Sequence, residues 1–275
     1  MLTDYHTHLR PDGADSSAED HFTQANAERY RTVAQERGIA ELGVSEHVYR
    51  FEQALDVWQH ELWRASARDD LDAYVEFVRT QTDLKLGIEA DFIPGREERM
   101  RDLLDAHEWD YVVGSIHFLG DQALDYERYD VWTRGTNPDK VWKTYFTWLG
   151  EAAQTGMFDI LAHPDLVKHW GPERPRPEGD LRRFYDLAME GIADSGVAVE
   201  VSTAGLRKPV GEIYPDRAFL EMIVDAGNPI ALSSDAHRPG DLGFGYEQAL
   251  ELLSDVGVGQ LAVFDKRARR LEPIG

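Results

Sequence analysis

Short apolar runs alternate along this chain with longer stretches whose apolar residues recur every three to four positions. Residues 2–6, 39–45, 84–90, 111–116, 158–162, 197–201 and 229–234 read as strands, and 261–264 as a final one. Between them, residues 19–37, 57–81, 97–107, 140–154, 180–194, 216–225 and 247–253 read as helices, the first stopped at Gly38. That pattern belongs to a parallel sheet covered by helices on its outer face. Seven such units in 275 residues suggest a closed barrel more than an open sheet. Nothing resembling a Gly/Ser linker interrupts them. The most loop-like stretch, 171–179 with Pro172, Pro175 and Pro177, is too short to divide the chain, so residues 1–275 are expected to form one domain.

Composition narrows the function classes. Twenty-nine Lys and Arg against 51 Asp and Glu give a net charge of −22. A chain so acidic offers no general basic surface for nucleic acid or an anionic membrane. There are no cysteines, hence no disulfide, thiolate metal site or cysteine nucleophile. No basic-then-apolar leader and no membrane-spanning apolar run is visible, which leads to the expectation of a cytoplasmic enzyme.

The candidate chemistry lies at the strand ends. The first strand runs into His6 and His8, the second into Glu46 and His47, and the third carries Glu89. The fourth runs into His117, the fifth into His163, and the seventh into Asp235 and His237. In a parallel barrel all these ends open on one face, so residues 6 to 237 converge on one pocket. Imidazole and carboxylate are ligands for Zn²⁺, Mn²⁺ or Fe²⁺. Six histidines and at least two carboxylates exceed what one ion takes, which suggests two or three divalent ions, with Glu89 able to bridge two of them. His21, His60 and His107 read as solvated helix residues. His169, beyond the fifth strand, is placed to border the pocket.

Seven segments together resemble the polymerase-and-histidinol-phosphatase (PHP) superfamily, and within it the monofunctional histidinol-phosphate phosphatase branch. They are Asp4-Tyr-His-Thr-His8, Ser45-Glu-His47, Gly87-Ile-Glu-Ala-Asp-Phe-Ile-Pro-Gly95, Val113-Gly-Ser-Ile-His-Phe118, Ala162-His-Pro-Asp-Leu166, Ser202-Thr-Ala-Gly-Leu-Arg-Lys-Pro209 and Ser233-Ser-Asp-Ala-His-Arg-Pro239. The resemblance implies a distorted, TIM-like (β/α)7 barrel with a three-metal centre. It implies His6, His8, Glu89 and Asp235 on the first metal, Glu89, His117 and His163 on the second, and His47 and His237 on the third. The branch usually has Pro-His-Gly after the opening motif, where this chain has Pro11-Asp12-Gly13. Asp12 is the natural substitute ligand, with Asp15 in reserve and a plain Asp-Gly turn as the alternative.

The activity so implied is hydrolysis of a small-molecule phosphate monoester, L-histidinol phosphate in histidine biosynthesis, by a metal-bound hydroxide. Asp235, His237 and Glu89 are the implied catalytic groups, and three divalent ions would leave the pocket positive inside an acidic protein. Arg207 and His117 are the substrate-binding candidates, Arg207 as a bidentate phosphate clamp or else a plain surface arginine. Arg238 reads as a structural ion pair, and Glu46 and Asp165 as groups that orient imidazoles or cap loops. The alternatives are a PHP-type enzyme acting on a nucleotide or sugar phosphate and a non-catalytic PHP module.

Overall fold

Residues 1–13 and 16–275 are described by the structure, a computed structural model; Asp15 lies outside them. Seven strands, β1 (Leu2–Asp4), β2 (Ile39–His47), β3 (Lys85–Asp91), β4 (Tyr111–Ser115), β5 (Ile160–Leu161), β6 (Ala198–Ser202) and β7 (Ile230–Ser233), lie side by side in chain order. Each is parallel to its neighbour. The seam between β7 and β1 is closed by less regular means. Thr7 and Ala236 form a parallel bridge, and the His8 amide donates to the Ala236 carbonyl at 2.8 Å. The Asp4 carboxylate accepts from the Ser234 amide at 3.2 Å and its hydroxyl at 2.5 Å. The result is the nearly closed (β/α)7 barrel that the alternation predicts.

The interior is filled from the strands' N-terminal ends. A side chain at Gly43 or Gly87 would come within 2.3 Å of the Tyr111 ring, so these glycines make room for that ring. Residues 261–264 do not add an eighth barrel strand. They lie in β8 (Gln260–Asp265), which pairs antiparallel with β9 (Ala268–Pro273). This hairpin buries Val263 and Phe264 against Tyr5, Tyr111, Ile160, Ala198 and Ala231, plugging the barrel below and leaving the opposite end to the polar site.

The helices between strands are α1 (Gln24–Glu36), α2 (Leu71–Gln81), α3 (Glu97–Asp105), α4 (Pro138–Gln154), α5 (Arg182–Ser195), α6 (Arg217–Asp225) and α7 (Tyr246–Asp255). None is long and apolar enough to cross a membrane. Two long expected helices are broken. The 19–37 stretch splits into Ala18–His21 and α1, because Thr23 takes an N-cap conformation and its hydroxyl accepts the Asn26 amide. The 57–81 stretch splits into Glu61–Ser66 and α2, with the Asp70 carboxylate capping at Ala73. That break also corrects the reading of His60. It is buried at the N-cap of Glu61–Ser66, its Nδ1 accepting from the Leu62 amide, and packed among Trp58, Phe118 and Tyr129. A short hairpin, Phe118–Leu119 with Gln122–Ala123, follows β4 and is invisible to periodicity at that length.

Candidate metal centre

The strand ends bring eight of the expected groups together. His6, His8, His47, Glu89, His117 and His163 are buried, and Asp235 and His237 are half-buried at the mouth. Glu89 stands at the middle. Its Oε1 faces His163 Nε2 at 3.3 Å and His117 Nε2 at 3.4 Å. Its Oε2 faces His6 Nε2 at 3.3 Å, His8 Nε2 at 3.6 Å and His47 Nδ1 at 2.5 Å. Asp235 Oδ1 lies 3.4 Å from His8 Nε2 and 3.7 Å from His6 Nε2. His47 Nε2 turns the other way, 3.3 Å from His237 Nε2.

Four overlapping groups of three could each surround an ion: His6, His8 and Asp235; His6, Glu89 and His163; His47, Glu89 and His117; and His8, His47 and His237. His6 Nε2, His8 Nε2, Glu89 Oε2 and Asp235 Oδ1 are buried with no hydrogen-bond partner. Orphaned buried polar atoms are costly, and a shared cation satisfies all of them at once. The residues therefore fit a divalent metal centre. Asp12 reaches its rim, with Oδ2 3.2 Å from His237 Nε2 and Oδ1 3.9 Å from His47 Nε2, and it also accepts from Arg50 Nη2 at 2.6 Å.

The electrostatics suit a cation. Burial pushes Glu89 towards neutrality, but His47, His6 and His117 outweigh it and hold the carboxyl well below its usual range. Asp235 is held low in the same way, burial being outweighed chiefly by His6 and His8. His8 is driven well below its usual value by burial and by the neighbouring His237 and His47, which keeps an imidazole lone pair free.

Two supporting carboxylates escape the sequence reading. Glu200, on β6, accepts from or pairs with His6 Nδ1 at 2.9 Å through Oε1, takes the His163 amide at 2.6 Å through Oε2, and receives the Ser233 hydroxyl. Asp91 faces His117 Nδ1 at 2.8 Å. Such partners fix which imidazole nitrogen is free for the metal. The available signal is a charged residue within an otherwise apolar buried strand, which Glu200 supplies between Val199 and Val201.

Several other expectations change. Of the two readings of Glu46, the loop cap fits: its carboxylate accepts from the Leu9 and Arg10 amides and pairs with Arg50, with Oε2 3.9 Å from His8 Nδ1. Asp165 likewise takes the Asp216 amide and the Lys168 ammonium. His117 has both ring nitrogens against carboxylates, Nε2 3.4 Å from Glu89 and Nδ1 2.8 Å from Asp91. Arg207 is no free surface arginine. Its Nη2 donates to the Ser234 carbonyl at 2.7 Å and the Asp235 carbonyl at 3.0 Å, while Nη1 is buried without a partner. Arg238 is exposed, and no ion pair to it is found among the described residues. His169 is buried beside the site and packs on Trp170, with Nδ1 unpartnered. His163 and Asp235 both adopt positive φ, +24° and +49°. Such strain is rare outside glycine and collects at functional sites. Here the Glu200 and Arg207 hydrogen bonds hold it in place.

Comparison with known proteins agrees with this geometry. The PHP domain model matches residues 6–204. A probable histidinol-phosphatase of Deinococcus radiodurans is 32% identical over 251 residues, covering 89% of this chain and 91% of that protein. The histidinol-phosphatase of Bacillus subtilis is 26% identical over 209 residues, covering 68% and 78%. The crystal structure of histidinol phosphate phosphatase from Lactococcus lactis, complexed with Zn, L-histidinol and phosphate, superposes with a TM-score of 0.74 over 98% of both chains at 17% identity, a likeness of fold. With the family match spanning most of the chain and the metal-ligating residues gathered on the barrel's open face, this protein belongs to the PHP domain family.

Proposed function

We infer that the protein is a metal-dependent phosphomonoester hydrolase acting on L-histidinol phosphate. The observation that carries this is Glu89, whose two oxygens face two separate sets of histidines, as a bridging carboxylate requires. The substrate follows from the histidinol-phosphatases that match the chain over most of its length.

His6, His8, Glu89 and Asp235 would hold one ion, Glu89, His117 and His163 a second, and His47, His237 and Asp12 a third. Zn²⁺, Mn²⁺ and Fe²⁺ all suit this donor set. When bound, such ions lower the pKa of water and neutralise phosphate charge. The protein's own groups do the rest. Asp235, half-buried at the mouth, would orient the attacking water and accept its proton. His237 Nδ1, 3.5 Å from Asp235 Oδ1, would be available to protonate the leaving oxygen. Arg207 holds the Asp235 backbone with one nitrogen and offers the unpartnered Nη1 to a phosphate oxygen. Glu200 and Asp91 keep the imidazoles aimed.

The test is phosphate release from L-histidinol phosphate against a panel of sugar, nucleotide and aryl phosphates. A marked preference for L-histidinol phosphate is expected. Faster hydrolysis of another ester would retain the chemistry and overturn the substrate.

A further inference from the structure

Beyond the metal centre, the segment after β4 carries one half-buried acidic side chain that has no partner among the described residues. Phe118–Leu119 and Gln122–Ala123 fold back so that the Leu124 amide donates to the His117 carbonyl at 2.8 Å. The Leu124 carbonyl in turn accepts from Trp170 Nε1 at 2.7 Å. Asp125 is the next residue. It is therefore pinned between a metal-ligating histidine and the His169–Trp170 wall, on the open face of the barrel.

Asp125 is half-buried, and among the described residues nothing donates a hydrogen bond or an ion pair to its carboxylate. The other half-buried acid of the segment, Asp130, is neutralised by Arg174 at 2.7 Å. The charge of Asp125 nevertheless reaches His169 on that wall, whose protonated form it favours against the opposing effect of burial. A carboxylate partly removed from water with no cation beside it is unfavourable unless a ligand completes it.

We propose that Asp125 is a specificity-determining residue that pairs with the ammonium group at the non-phosphate end of the substrate. The inference rests on the reading of the substrate as a phosphorylated amino alcohol. Metal ions and Arg207 attract the phosphate and would accept any monoester. A carboxylate across the pocket selects those whose other end is cationic, because an ester without the ammonium leaves Asp125 as it stands, while the correct one gains a charge-assisted hydrogen bond.

Asp125→Asn keeps the shape and removes the charge. In the metal-loaded enzyme it is expected to lower kcat/KM for L-histidinol phosphate about ten- to hundred-fold more than kcat/KM for phenyl phosphate, the range a charged hydrogen bond supplies. Inhibition by L-histidinol should weaken by a similar factor, with inhibition by inorganic phosphate changed far less. Asp125→Glu should restore part of the discrimination. Parallel losses on both substrates, or an unchanged ratio, would overturn the role of Asp125 while leaving the proposed activity in place. A wild-type enzyme with no preference for L-histidinol phosphate over phenyl phosphate would overturn the substrate reading itself, and this inference with it.

Discussion

Glu200 holds two pieces of the centre at once, His6 through its Nδ1 and His163 through its strained backbone. Its substitution by Gln keeps the volume and weakens both contacts. Metal affinity is expected to fall about 10- to 100-fold, the usual cost of losing such a partner, with little change in the melting temperature of the metal-free protein. Competitive titration with a chelator checks this; unchanged affinity would remove Glu200 from the centre. His169 makes a different prediction. Burial depresses its pKa from 6.5 to about 4. In acid the unfolded chain takes up a proton that the folded one refuses, so stability falls as pH drops from 6.5 towards 4. Between pH 7 and pH 5 the wild type should lose about 2 kcal/mol that His169→Gln does not lose, as read by denaturant unfolding at both pH values. At this scale the residues gathered at the barrel mouth were legible because they stand at or just beyond the ends of the strand runs. Glu200 and Asp91 were not, because second contacts between side chains far apart in sequence leave no spacing signal. Arg207 was legible as important, but its anchoring of Asp235 depends on how two loops meet.

Among the elements, α4 and α5 approach most closely where glycine faces glycine. A side chain on Gly191 would come within 2.1 Å of the Gly150 carbonyl oxygen. Gly191→Ala must therefore spread the helices and is expected to cost about 1–3 kcal/mol by overpacking, measured by denaturant unfolding, with kcat nearly unchanged because neither helix carries a ligand. An unchanged stability would show that the pair can separate freely. All seven barrel strands were legible from apolar runs, with ends displaced by a residue or two. The helix breaks before α1 and α2 were not, since the flanking segments keep helical periodicity and only short capped stretches, ending at Thr23 and at Asp70, separate them. The C-terminal hairpin was half legible. Its β8 strand is apolar because it fills the barrel, whereas β9 is largely exposed and polar.

For the whole molecule, a chain of net charge −22 collects six histidines and the carboxylates of Glu89 and Asp235 on one face of a barrel. The convergence was legible because parallel strands all end on the same side, so a mark at each strand end is a mark in one pocket. The seam between β7 and β1 was not, being made by one bridge and a buried Asp4 instead of a regular ladder. The central claim is that Glu89 joins two metal positions and that hydrolysis depends on them. Metal content and phosphate release from L-histidinol phosphate, measured on the same samples of wild type and Glu89→Ala, test it most directly. The wild type should carry two to three divalent ions per chain and hydrolyse the ester, and the variant should lose metal and activity together. A Glu89→Ala protein with full metal content and full activity would contradict the account.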